Sequence, residues 1–122
     1  MRVPLLAAAC ALVLLVSGCG IGAADENTVQ VYSGRHYDLE QAFARFTEET
    51  GIEVKFLSGG DAEMRERIKA EGEDTPADVF MTVDAGNLWL AEQEGLLAPA
   101  NSAVLDEVVP EGLRDPQGHW YG

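Results

Sequence analysis

The sequence predicts an α/β fold built on a parallel sheet. Three strand-like segments alternate with three amphipathic helical segments between residues 29 and 99. A glycine stands where each helical pattern ends, as the left-handed position after a helix favours: Gly51, Gly72 and Gly95. The crossovers are long enough to join parallel strands and are right-handed by default. We therefore expect a β-α-β-α-β-α core.

The first unit begins with a short β-branched strand at residues 29–32, which ends at Ser33-Gly34. Asp38 is a suitable N-cap for the helix that follows, and Gln41 completes a pair resembling a capping box. An apolar stripe at helical spacing then predicts one face packed on the sheet: Leu39, Ala42, Phe43 and Phe46.

The second unit alternates apolar and charged residues over 52–57, as a strand with one buried face does. Asp61 is expected to cap the second helix, which turns Met64 and Ile68 inward. Glu63 and Arg67 are four residues apart and are expected to form a weak pair on the solvated face.

The third unit opens with a nearly continuous apolar run at 77–83, which predicts a central strand buried on both faces. Asp84 caps the third helix. Beyond Pro99 we expect a short helical turn near 104–110, a turn at 115–118 and the opening of another strand at 119–122. We therefore interpret residues 29–122 as an incomplete α/β domain.

The N-terminus has the layout of a secretory signal. Arg2 provides a positive charge, residues 5–16 are apolar, and small residues precede Cys19. This ending resembles a bacterial lipobox, in which the cysteine becomes the lipidated first residue. We expect a lipoprotein signal peptide at 1–18, lipidation at Cys19 and a flexible tether at 19–28, which would attach the protein to a membrane.

The chain is acidic, with 8 Lys+Arg against 21 Asp+Glu and a formal charge of −13. Nucleic-acid binding requires a basic surface, so the charge argues against it.

The candidate site is the loop at the end of the first strand, because ligands of open α/β sheets bind at the carboxyl ends of the strands. It carries Arg35, His36 and Tyr37. Two of them have an ordinary structural alternative: His36 as a surface residue, and Tyr37 as a staple against the following helix. Tyr32 is expected in the core, and His119 belongs to a turn and has no assigned role.

Several blocks together resemble the bacterial ferric iron-binding substrate-binding proteins of iron(III) ABC transporters, which are periplasmic or lipid-anchored. They are residues 31–37, 49–54, 75–80, 84–89 and 94–99. The resemblance implies a class II periplasmic binding protein, a two-lobed type II fold that closes over the ion, of which this sequence holds part of one lobe. It also implies Fe(III) as the bound ligand, a membrane permease as partner, and no enzymatic activity. We expect a monomer in the periplasm or on the cell surface.

By this resemblance His36 and Tyr37 are metal ligands, and further tyrosines come from a second lobe outside this sequence. Arg35 would hold a synergistic anion or orient a phenolate. One branch of the family uses a carboxylate after the third strand, but Val83 stands there, so the tyrosine-rich branch is favoured. Iron(III) prefers phenolate and carboxylate oxygen and accepts imidazole nitrogen.

Three alternatives stay open. The first is a receptor of the same fold for another solute, such as an anion, thiamine or a polyamine. The second is a metal-dependent enzyme using His36, although the sequence has no HExxH, GxSxG or P-loop motif. The third is a membrane-tethered module without a small ligand.

Overall fold

The computed structural model describes residues 27–35 and 39–122. It contains three strands, β1 (Thr28–Ser33), β2 (Glu53–Ser58) and β3 (Val79–Met81), and four helices, α1 (Leu39–Thr50), α2 (Asp61–Glu71), α3 (Ala85–Gln93) and α4 (Ala103–Val108). Short 3₁₀ turns lie at Gly72–Asp74 and Glu111–Leu113. The expected signal, the tether up to residue 26 and the cap at Asp38 lie outside the described residues. Within those residues, no helix is both long enough and apolar enough to span a membrane.

The three strands form one parallel sheet in the order β2-β1-β3. β1 pairs with β2 along its whole length, from Thr28 opposite Glu53 to Ser33 opposite Ser58. Its other edge pairs with β3 from Val31 to Ser33. The predicted β-α-β-α-β-α order and the parallel pairing are therefore confirmed.

The prediction that the third strand is central was wrong for the part of the chain that the structure describes. β3 has three residues, lies at the edge of this sheet, and leaves Val79 42% exposed. Its ladder begins late because the Asp78 side chain, rather than a backbone carbonyl, accepts the Gln30 N–H at 2.8 Å. It ends early because the Thr82 hydroxyl donates to the Asp84 carbonyl at 2.7 Å and turns the chain.

The sheet is covered on both faces because adjacent side chains of a strand point in opposite directions. On one face, α1 packs through Phe43, whose ring centroid lies 5.5 Å from that of Phe56. On the other, Tyr32 packs with Met64 and Ile68 of α2. The predicted inward residues of α2 are thus confirmed: Met64 is 2% exposed and Ile68 6%. The stripe on α1 is shallower than expected, since Phe46 is 38% exposed.

Two details of α2 differ from expectation. Asp61 is not the cap: Gly60 occupies that position, and its N–H donates to Glu63 at 3.4 Å. Asp61 is instead the first helical residue. Its carboxylate accepts a hydrogen bond from Val83, in the loop after β3. Arg67 pairs with Glu71 at 2.8 Å rather than with Glu63.

The last segment, 99–122, forms α4 and a hairpin-like turn. The Ser102 hydroxyl caps α4 by accepting the Leu105 N–H at 3.3 Å. The expected turn at 115–118 is present, with Gly118 at a φ of +76°. The strand expected to begin at 119–122 is limited to one antiparallel bridge between Arg114 and Tyr121.

Candidate functional site

The candidate site lies at the carboxyl edge of the sheet, where the loop after β1 begins. Ser33 is fully buried, and its hydroxyl accepts the Arg35 N–H at 3.1 Å in a tight turn. The loop is held from both sides: the Gly59 N–H donates to the Ser33 carbonyl at 3.0 Å, and the Gly34 N–H donates to the Met81 carbonyl at 2.8 Å. The start of the loop is therefore fixed by both neighbouring strands.

Asp61 joins the three loops of this edge. Its carboxylate accepts the Val83 N–H at 3.2 Å and the Asn87 side-chain amide at 3.1 Å. Gly34 lies directly against it: a Cβ built on Gly34 would stand 2.6 Å from the Asp61 Cγ and 3.2 Å from its Cα. Only glycine permits this approach without displacement of the loop or the helix start.

Arg35 is exposed and connects the first loop to the third. Its Nε donates to the Thr82 carbonyl at 2.8 Å. It lines an open cavity of about 810 Å³ that also reaches β3, α3 and residues 119–122. Because one of its five N–H groups is used here, the guanidinium retains donors for an anion.

The other residues predicted for the site, His36 and Tyr37, lie outside the described residues, as does Cys19. Arg35 is the last described residue before the His36-Tyr37 pair.

Tyr32 is a core residue, as expected. It is 3% exposed, and its hydroxyl donates to both Glu71 oxygens, at 3.0 and 3.1 Å. Burial raises the pKa of the Tyr32 phenol, and the hydrogen bond to Glu71 raises it further. The Tyr32 phenol is therefore a hydrogen-bond donor within the core.

Asp84 is a helix cap, as expected, since its carboxylate accepts the Asn87 N–H at 3.0 Å. Val83 is 56% exposed at the place where a carboxylate ligand was considered. In the described part of this edge, Asp61 and Asp84 thus both support loops.

The roles of Gly34, Asp61 and Asn87 were missed from the sequence. Asp61 and Asn87 are 26 positions apart, and only the packing of α2 against α3 brings them together. The one available signal in the sequence was Gly34, because a glycine directly after a strand indicates a close approach of the backbone to another group.

The comparisons with known proteins identify the family. Residues 33–121 match the model of the bacterial extracellular solute-binding proteins. The chain belongs to this family. Its members are solute-binding proteins, so the fold is the expected type II periplasmic binding protein fold, of which this chain holds a partial α/β piece.

Curated relatives in this family carry iron in their names. The chain is 46% identical to iron uptake protein A1 of Synechocystis over 99 residues. The aligned stretch covers 80% of this chain and 28% of that protein. It is 35% identical to the Fe(3+)-binding periplasmic protein of Serratia marcescens over 110 residues. This aligned stretch covers 89% of this chain and 32% of that protein. The chain therefore spans about a third or less of the length of these relatives.

Solved structures agree with the fold. The Trichodesmium FutA (IdiA) protein in complex with iron and citrate is 47% identical, with a TM-score of 0.74, over 78% of this chain and 30% of that one. Iron-bound HitA from Pseudomonas aeruginosa is 33% identical, with a TM-score of 0.70, over 78% of this chain and 31% of that one.

Proposed function

We propose that the protein containing this chain is an extracytoplasmic receptor that captures ferric iron and delivers it to the membrane permease of an ABC importer. The observation that carries this proposal is the 46% identity to an iron uptake protein over a stretch covering 80% of the chain. The proposed receptor is a monomeric binding protein and not an enzyme.

In this proposal His36 and Tyr37 contribute an imidazole and a phenolate to the iron, and the remaining ligands come from outside this chain. Two contacts of the described residues support the placement. The loop start is fixed by hydrogen bonds to both neighbouring strands, and the Arg35 side chain is bonded to the Thr82 carbonyl. A ligand pair that follows a fixed anchor loses less conformational freedom when it binds.

Arg35 is proposed to hold an anion that accompanies the iron. Its guanidinium is exposed and charged, and a planar fork of donors fits a carboxylate well. The presence of citrate with iron in the Trichodesmium structure supports a carboxylate as that anion.

The proposed location is the periplasm or the cell surface, with a lipid anchor. Removal of residues 1–18 as a signal peptide would leave Cys19 as the lipidated first residue and residues 19–28 as the tether. The remaining 29–122 would form the N-terminal lobe segment. Mass spectrometry of the protein isolated from membranes would test this: an unmodified Cys19 would contradict the anchor.

The iron proposal is tested by adding ferric citrate to the purified intact protein and recording its visible spectrum. We expect a phenolate-to-iron charge-transfer band. Tyr37→Phe should remove or shift it and weaken binding by more than about tenfold, because loss of a ligand costs at least as much as loss of a supporting contact.

Tyr32→Phe is the matched control, because it removes the same hydroxyl from the buried phenol nearby. It should keep the band and the affinity. A folded protein without any band would overturn the iron proposal, and equal losses in both variants would overturn the assignment of Tyr37. Residues 19–122 alone should bind iron weakly or not at all.

A further inference from the structure

A second group of metal-ligating side chains lies away from the carboxyl edge of the sheet. Glu92, Asp115 and His119 each offer a ligand atom, and these atoms all lie within 4.8 Å of one another. Glu92 is seven residues into α3 from Ala85, so it lies about 10 Å along the helix axis from the loop at that edge. The group joins α3 to the hairpin at 115–118.

The two carboxylates and the imidazole are held in place by hydrogen bonds. One oxygen of Asp115, Oδ2, accepts the Gln117 and His119 N–H groups, both at 3.1 Å, and lies 2.8 Å from the His119 Nδ1. Glu92 Oε2 accepts the Trp120 indole N–H at 3.2 Å. Each carboxylate thus keeps a second oxygen, and the His119 ring keeps Nε2. Such supporting bonds orient metal ligands.

The charge of the group favours a cation. Asp115 is 7% exposed, and no lysine or arginine pairs with it or with Glu92 among the ion pairs of residues 27–35 and 39–122. The group places two carboxyl side chains beside one imidazole, and His119 is partly exposed to solvent.

We propose that Glu92, Asp115 and His119 form a binding site for a divalent cation of the zinc type, which uses none of the residues proposed to bind ferric iron. One nitrogen and two oxygen ligands, with water in the fourth position, suit tetrahedral zinc at about 2.0–2.2 Å. Ligand atoms in such a site lie roughly 3.3 Å apart, so side-chain rotation must bring the three closer together. Bound metal would tie α3 to the hairpin.

The competing explanation is that Asp115 and His119 only stabilise the turn. The two explanations differ at Glu92, which takes no part in the turn. The decisive variant is therefore Glu92→Gln, which retains an oxygen acceptor for Trp120 but removes the charge. Glu107→Gln on exposed α4 removes the same charge elsewhere and is the matched control.

The experiment uses tag-free intact protein carrying His36→Ala, so that zinc at the proposed iron site does not contribute. Zinc is titrated against a fluorescent competitor, and Co²⁺ is added separately to read coordination number from its visible absorption. We expect one zinc per chain, a four-coordinate cobalt spectrum, and at least about tenfold weaker binding in Glu92→Gln and His119→Gln.

Unchanged zinc affinity in Glu92→Gln would overturn the proposal, as would the absence of zinc binding in the His36→Ala background. An equal loss in Glu107→Gln would do the same, because it would show that only overall charge attracts the ion. If His119→Gln shows no thermal unfolding transition, that variant is not folded, and the zinc affinity of Glu92→Gln alone decides between the two explanations.

Discussion

At the scale of single residues, the most constrained position of the described site is Gly34. Its backbone lies against Asp61, and that same carboxylate holds the Val83 N–H and the Asn87 amide. A side chain at Gly34 would push on the group that joins three loops. The absence of a side chain at Gly34 therefore matters for the geometry of the whole edge.

Gly34→Ala is expected to destabilise the protein by about 1–3 kcal/mol, as overpacking of a tight site does. It should also weaken iron binding, because the new methyl group displaces the loop that leads to His36. Urea unfolding and iron titration measure the two effects.

Gly112→Ala is the control, since nothing lies within 4 Å of a Cβ built there. Wild-type affinity and stability in Gly34→Ala would show that the loop tolerates the shift and that the contact with Asp61 does not position the site.

Roles that depend on neighbours in sequence could be predicted, whereas roles that depend on distant residues could not. Asp84 was correctly predicted as a cap because its partner, Asn87, is three residues away. Asp61 was wrongly predicted as a cap because its partner, Val83, is 22 residues away and is supplied by the packing of two units. His119 is an exception: its described partner, Asp115, is only four residues away, yet no role was assigned to it.

At the scale of elements, the end of α2 is joined to β1 and to the segment before β3 by one carboxylate. Glu71 accepts hydrogen bonds from Tyr32, from Arg67 at 2.8 Å and from the Thr75 hydroxyl at 2.8 Å. Burial opposes ionisation of Glu71, but the bonds from Thr75, Arg67 and Tyr32 outweigh it and hold the pKa of Glu71 below its usual value.

Because this pKa is lowered by folding, ionised Glu71 stabilises the protein above its unfolded-state pKa of about 4.3. The contribution decreases as the pH falls through the lower folded-state pKa. Glu71→Gln should therefore reduce the thermal midpoint by several degrees at pH 7, and the difference from wild type should shrink at pH 3.5.

Glu48→Gln, on exposed α1, removes a charge without a described ion pair and should show no such pH dependence. A difference between Glu71→Gln and wild type that stays constant from pH 7 to pH 3.5 would contradict the role of the ionised carboxylate.

Strand boundaries were predicted less well than helix ends, for a physical reason. Helix ends are marked by glycines whose positive φ is local, as at Gly51 and Gly95. The extent of β3 depends on where side chains of Asp78 and Thr82 replace or redirect ladder bonds. The apolar run at 77–83 alone therefore does not predict where β3 begins and ends.

At the scale of the whole molecule, the acidic charge acts against compactness. With a formal charge of −13 on 122 residues, like charges repel across the surface. The sequence alone established this balance, as well as the parallel α/β class, because both depend on composition and on alternation. The strand order and the distribution of α1 and α2 between two faces required the structure.

Raising NaCl from about 10 to about 200 mM should increase the thermal midpoint at pH 7 by a few degrees, because the screening length falls from about 30 to below 10 Å. Differential scanning calorimetry measures this. A midpoint that falls with salt would show that attractive pairs such as Arg45–Glu49, at 2.7 Å, outweigh the repulsion.

The central position of β1 has a consequence for how the start of the loop after it, at Gly34 and Arg35, separates from the sheet. Residues 31–33 are paired with strands on both sides, so their separation requires the sheet itself to come apart. The strand that leads into Arg35 therefore belongs to the last part of this sheet to exchange its amide protons. Fluctuations that open one edge strand leave β1, and with it the start of the loop, paired with the other edge strand.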